Sequence, residues 1–257
     1  MKNILLLIII IGCIAFLSYP TTRALFNDTA TSSNNTFTTS DSFSGPIGTG
    51  TPTPTPTLTP TVTPTPTQGQ APSVESGDVV INELMWMGSS QDADDEWIEL
   101  RNTTDHDIPI GGWQITKWVK STSGDHEELM ITITPDETIS ASSFFLIARF
   151  SDGDTKSILN VAPDMPNTSM VLNNSNLQIK LYMGNWDSGG MLSDTAGNKG
   201  APLKGEHSSS HYSMERNSNF GDGTNDDNWH TATTSVGFDV GIEDDNKGTP
   251  KSANSSL

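Results

Sequence analysis

The sequence predicts an all-β fold, a β-sandwich of six to eight strands, and three observations carry that reading. Only 33% of residues are hydrophobic and 17% charged, and Thr, Ser, Asn and Gly fill the shortfall, as strands joined by many exposed turns require. The apolar residues fall in short runs bounded by Gly, Asn, Asp and Pro, the spacing of strands and not of helices. No stretch sustains a 3.6-residue period. The 257 residues carry 31 acidic against 13 basic side chains, a net charge of −18, which argues against a nucleic-acid binder that works by neutralising phosphates.

The elements follow in chain order. Lys2 precedes an apolar run from Ile4 to Tyr19, Pro20 ends it, and the small stretch Thr21-Thr22-Arg23-Ala24 follows. That order predicts a secretory signal peptide over residues 1–24. The run falls short of the roughly 20 residues of a comfortable span, so an uncleaved, short anchor is the alternative. Ile10-Ile11-Gly12-Cys13 also resembles a lipobox, although the apolar run continues to Leu17. Cys13 is the single cysteine, so no internal disulfide and no thiolate metal cluster can form. Removing residues 1–24 takes away Lys2 and Arg23 and no acid, moving the charge from −18 to −20.

Residues 25–44 read as a short polar N-terminus of the exported chain. Ala24-Leu25-Phe26-Asn27-Asp28-Thr29 through Asn34-Asn35-Thr36-Phe37 resembles the start of camelysin-type biofilm-matrix proteins of bacteria, which implies cleavage close to Ala24. Two readings stay open for it, a disordered polar lead and a short strand with Phe26 and Phe37 as anchors that pairs with the edge of another sheet. Residues 45–76 form a linker. From Thr51 to Thr67 alternating prolines favour polyproline II, a semi-rigid spacer of roughly 50 Å at about 3.1 Å per residue.

All six tryptophans lie beyond the spacer, so residues 77–257 are expected to be the folded domain. Its apolar runs are 79–87, 97–100, 113–119, 129–133, 144–150 and 177–183. In Leu177-Gln178-Ile179-Lys180-Leu181 the alternation is nearly strict, which predicts one buried and one wet face. Between Asp95 and Asn102, Glu96, Ile98 and Leu100 share one face and Trp97, Glu99 and Arg101 the other. Glu99 and Arg101 read as strand-surface charges placed to pair across a sheet. Gly111-Gly112 reads as a turn into the strand that begins at Trp113.

Val79-Val80-Ile81-Asn82-Glu83-Leu84, Asp95-Glu96-Trp97-Ile98-Glu99-Leu100 and Ile110-Gly111-Gly112-Trp113, in that order, resemble the lamin-tail domain. Phe144 to Arg149, Leu172 to Tyr182, Ser213-Met214-Glu215-Arg216, Asn228 to Ala232 and Gly248-Thr249-Pro250-Lys251-Ser252-Ala253-Asn254 extend the resemblance. It implies an immunoglobulin-like β-sandwich, a module that occurs in bacterial secreted proteins. Two departures are visible. The Asn-rich turn lacks Gly-Asp after Ser175, and residues 184–210 look like a large glycine-rich loop.

Catalytic signatures are missing from the sequence: no Gly-x-Ser-x-Gly elbow, no His-Glu-x-x-His and no phosphate-cradling loop occurs, so no enzyme is predicted. His207 and His211 stand four apart in what reads as a loop, which lacks the helical geometry of a paired ligand set, and His106, His126 and His230 read as solvated. Acidic clusters occur at 92–96, 152–154, 222–228 and 243–246. Calcium takes about six to eight oxygens, and Asp222, Asn225, Asp226 and Asn228 are the best candidates to supply them from one turn. Otherwise these clusters are solvated loops. The expected function is non-enzymatic binding or tethering at the bacterial cell surface or in the secreted fraction, with a partner in the envelope, the matrix or another protein. The alternatives are a structural subunit of an extracellular matrix and a hydrolase.

Overall fold

The computed structural model describes residues 73–256. The expected signal segment, the camelysin-like stretch and the Thr51–Thr67 tract lie outside these residues. The described residues are all β, with no α-helix. The strands are β1 (Val79–Met85), β2 (Trp97–Asn102), β3 (Ile108–Pro109), β4 (Gln114–Val119), β5 (His126–Thr132), β6 (Thr138–Ile139) and β7 (Phe144–Ala148). There follow β8 (Met165–Pro166), β9 (Leu177–Met183), β10 (Met191–Gly200), β11 (His211–Tyr212), β12 (Met214–Arg216), β13 (Trp229–Thr231) and β14 (Asn246–Lys247).

Two sheets dominate, one of six strands in the order β13-β12-β1-β2-β7-β8 and one of four in the order β10-β9-β4-β5. Every neighbouring pair in them is antiparallel except β7 with β8. Ile81, Leu84, Ile98, Leu100, Phe145 and Ile147 of the larger sheet share one apolar cluster with Ile115, Ile131, Ile179 and Leu181 of the smaller. Burying one apolar face of each sheet against the other is what makes a sandwich stable.

β1 is buried along its whole length, polar residues included. That requires cover on both faces of its sheet, and the second cover is the C-terminal segment after β14. A bulge between Ile81 and Glu83 sets Asn82 and Glu83 together against Glu99, so both side chains turn to the face that this segment covers. At the other end, Gly112 has φ +80° in the turn that leads into β4, a conformation a Cβ would resist.

The sequence underestimates the strand count, and residues 184–210 are not the expected large loop. They contain β10, ten residues long and paired with β9. Register shifts at Leu192/Asp194 and Ala196/Gly200 break its alternation, and this removes the period by which a strand is read. β12 and β13 are three residues each, too short to show any period. The N-terminal end of the described residues is tied in: Val74 packs on the core, and Ser76 Oγ donates to Ser193 O.

Candidate functional site

The strand register places one row of titratable side chains across four neighbouring strands. His230 on β13 is paired with Glu215 on β12, Glu215 with Glu83 on β1, and Glu83 with Glu99 on β2. Directly opposed residues share a sheet face, so one histidine and three glutamates line up on the same side. All three glutamates are fully shut from solvent. Glu99 is therefore not a strand-surface charge, and His230, 7% exposed, is not solvated. The sequence reading failed because it assumed that the face opposite the core is wet.

The C-terminal segment supplies the partners that such burial demands. Thr249 N donates to Glu83 Oε1 at 2.9 Å, Lys251 N donates to Glu99 Oε2, and Ser255 N donates to Glu215 Oε2 at 2.9 Å. Asn82 Nδ2 donates to Glu99 Oε1 at 2.8 Å and to Asn254 Oδ1 at 2.7 Å. Asn254 Nδ2 in turn donates to Arg216 O at 2.8 Å. Lys251 takes φ +60°, a left-handed turn within the segment whose N–H meets Glu99. The order Thr-Pro-Lys-Ser-Ala-Asn-Ser thus has a physical reason, since it presents donors in the register of three buried carboxyl groups.

Burial pushes the Glu83 carboxyl well above its ordinary value, and the neighbouring Glu215 and Glu99 push it further. Burial raises Glu99 to about 8, against the opposing donors Lys251 N and Asn82. The hydrogen-bond geometry agrees. Thr249 Oγ1 lies 3.0 Å from Glu83 Oε2 and 2.8 Å from Glu215 Oε1, yet a hydroxyl has one proton to give. Both contacts are satisfied when one of the two carboxyl groups is protonated and donates to Thr249, which donates onward to the other.

Beside this row, Arg216 Nη2 donates to Asp194 Oδ1 at 2.8 Å and Oδ2 at 2.9 Å, with the Arg216 side chain fully buried. Arg216 also lies 4.6 Å over the Trp229 ring. Gly223 closes over it: a Cβ there would stand 2.0 Å from Arg216 Nη1 and 1.9 Å from Thr195 O. This close approach is why the acidic 222–228 loop contains a glycine at that position.

The loop itself brings Asp222, Asn225 and Asn228 into one tight turn, as the sequence suggests. Several of its oxygens are engaged within it. Asp222 Oδ1 accepts from Thr224 N and Oγ1, Asn225 Oδ1 caps the short turn through Asp227 N, and Asn228 Nδ2 donates to Asp222 O. Asp226 pairs with Lys204 at 2.7 Å. Among the described residues no three His, Cys, Asp or Glu side chains group as metal ligands. The 92–96 cluster is only partly a solvated loop: Asp94 is exposed, whereas Asp95 and Glu96 are buried and accept from Ile158 N and Leu172 N. Burial raises Glu96 to about 7, although Leu172 N and Arg149 oppose it. His207 stacks edge-on to Trp86 at 5.1 Å, while His211 lies in β11, paired with Asn246.

An open pocket of about 440 Å³ lies at the end of the buried row. Arg101, Arg216, Asn217, Ser218, His230 and the residues 253–256 line it, and none of these is acidic. Arg101 does not pair across the sheet as the sequence suggests. Its guanidinium lies 5.4 Å from the Phe144 ring and 5.0 Å from the Phe220 ring, and its Nε is buried without a partner. Of the three arginines among the described residues, Arg149 pairs with Asp94 and Glu96, Arg216 pairs with Asp194, and Arg101 pairs with no carboxylate. Both phenylalanine rings lie within cation–π distance of the guanidinium, a contact that sequence periodicity does not encode.

A family model described as Lamin Tail Domain matches residues 72–200. No curated protein matches the chain.

Proposed function

The chain belongs to the lamin tail domain family, and from that premise we propose that it is a non-enzymatic binding or tethering protein of the cell surface or the secreted fraction. The single observation that carries the reading is the contrast between two neighbouring sites. Glu83, Glu99 and Glu215, the residues with the chemistry of acids and bases, are sealed under the C-terminal segment and held by it. The pocket beside them is open and keeps an unpaired guanidinium. Sealed carboxyl groups hold a fold together, and an open polar pocket recognises a partner.

The apolar run from Ile4 to Tyr19 and the Thr51–Thr67 spacer support export and projection of the domain from the surface. The partner is an envelope, matrix or protein component, because a chain near −18 is repelled by nucleic acid. The test is retention of the full chain on isolated envelope material, compared with Ser218→Trp, which fills the pocket from its exposed rim. Retention lost in the variant, with its melting transition unchanged, supports the reading. Equal retention of both proteins overturns it.

A further inference from the structure

We propose that the pocket beside β2, β12 and β13 is an oxyanion site, in which the Arg101 guanidinium takes a carboxylate, sulfate or phosphate group of the ligand. The inference rests on the pocket being the binding surface and adds the chemistry of what enters it.

Four observations point there together. The chain has 31 acidic residues, yet the pocket wall has none and contains two guanidinium groups and an imidazole. Two of these groups are already engaged, Arg216 by Asp194 and His230 by Glu215 at 2.9 Å. Arg101 alone makes no hydrogen bond or ion pair to a protein atom among the described residues. The Phe144 and Phe220 rings lie 5.4 and 5.0 Å from the guanidinium carbon, contacts that consume no N–H, so its donors remain for an oxygen acceptor. Ser218 and Ser256 line the same pocket with hydroxyls that have no partner among the described residues, and these add neutral donors around the charge. A fixed, planar, unpaired guanidinium with hydroxyls beside it suits a small oxyanion better than a point cation would. The −18 charge of the chain disfavours a densely anionic polymer, so the group recognised is a single one.

The experiment titrates the full chain calorimetrically with inorganic phosphate, sulfate and acetate at constant sodium chloride, and repeats envelope retention in their presence. The expected result is a saturable heat with at least one of the three anions, weakened at least tenfold in Arg101→Gln and two- to threefold in Ser218→Ala. Arg101→Lys keeps the charge without the fork and is expected to bind at an intermediate level. Melting of each variant confirms that it is folded. If the anion also releases the chain from envelope material, the oxyanion belongs to an envelope polymer. If it binds without releasing the chain, the ligand is a free anion. No heat with any of the three anions up to 10 mM, or an unchanged affinity in folded Arg101→Gln, overturns the proposal. Should Ser218→Trp still abolish envelope retention in that case, the pocket remains the binding surface and only its oxyanion chemistry fails.

Discussion

Thr249 grips Glu83 twice across 166 residues of sequence, with its backbone N–H 2.9 Å from Oε1 and its hydroxyl 3.0 Å from Oε2. The pair joins the first strand of the larger sheet to the segment that covers it. Its consequences can be measured.

The first concerns pH. The folded values of Glu83, Glu96 and Glu99 are raised above their ordinary 4.5. Between 4.5 and about 8 the folded state therefore binds more protons than the unfolded one, so the stability they contribute is complete below 4.5 and is lost as pH rises toward about 8. Each such proton is worth about 1.4 kcal/mol per pH unit in that window. His211, lowered from 6.5 by burial, opposes them over a narrower range. The melting temperature is expected to fall from pH 5 to pH 8. Glu83→Gln keeps a donor toward Thr249 Oγ1 and cannot ionise, so it should match the parent at pH 5, exceed it at pH 8 and flatten the slope. A slope unchanged by that variant would place the proton elsewhere.

The second concerns Arg216 and Asp194. Asp194→Asn leaves a buried guanidinium without its counter-charge, and such breaks cost about 3 to 5 kcal/mol. Denaturant unfolding should show that loss. Arg216→Met, which removes the charge with similar volume, should cost less than Asp194→Asn. An equal or larger loss for Arg216→Met would mean that the Phe220 O and Trp229 contacts matter more than the ion pair.

The third concerns the extent of the folding unit. A fragment ending at Gly200, where the family match stops, lacks β12, β13 and the segment that covers Glu83 and Glu99. It should show no cooperative melting, whereas residues 73–257 should unfold in one transition. Ending the chain at Gly248 tests the cover alone, and it should abolish or strongly weaken that transition.

The fourth concerns the 222–228 loop. Asp222 Oδ1 and Asn225 Oδ1 already close the turn, and Asp226 pairs with Lys204. Millimolar calcium should move the melting temperature by less than about a degree, since a ligand that binds the folded state raises it by mass action. A clear rise that Asp226→Asn removes would instead assign calcium to the loop.

By itself the sequence determined the fold class and the approximate position of the apolar strands, because short bounded runs and the alternation in Leu177–Met183 are local properties of the chain. It also made the 222–228 turn legible, since Asp, Asn and Gly encode a turn within a few residues. It did not determine β10, whose bulges erase its period, or β12 and β13, three-residue strands that form by pairing with β1 and with each other. The glutamate row was hidden for a further reason. Glu83, Glu99, Glu215 and His230 are far apart along the chain and meet only through strand register, and whether each is buried or wet depends on a segment after residue 248 that covers their face. The environment of Arg101 was settled the same way, by Phe220 arriving from a loop more than a hundred residues later. Alternation along a strand tells which side chains share a face, and only tertiary packing decides what lies against it.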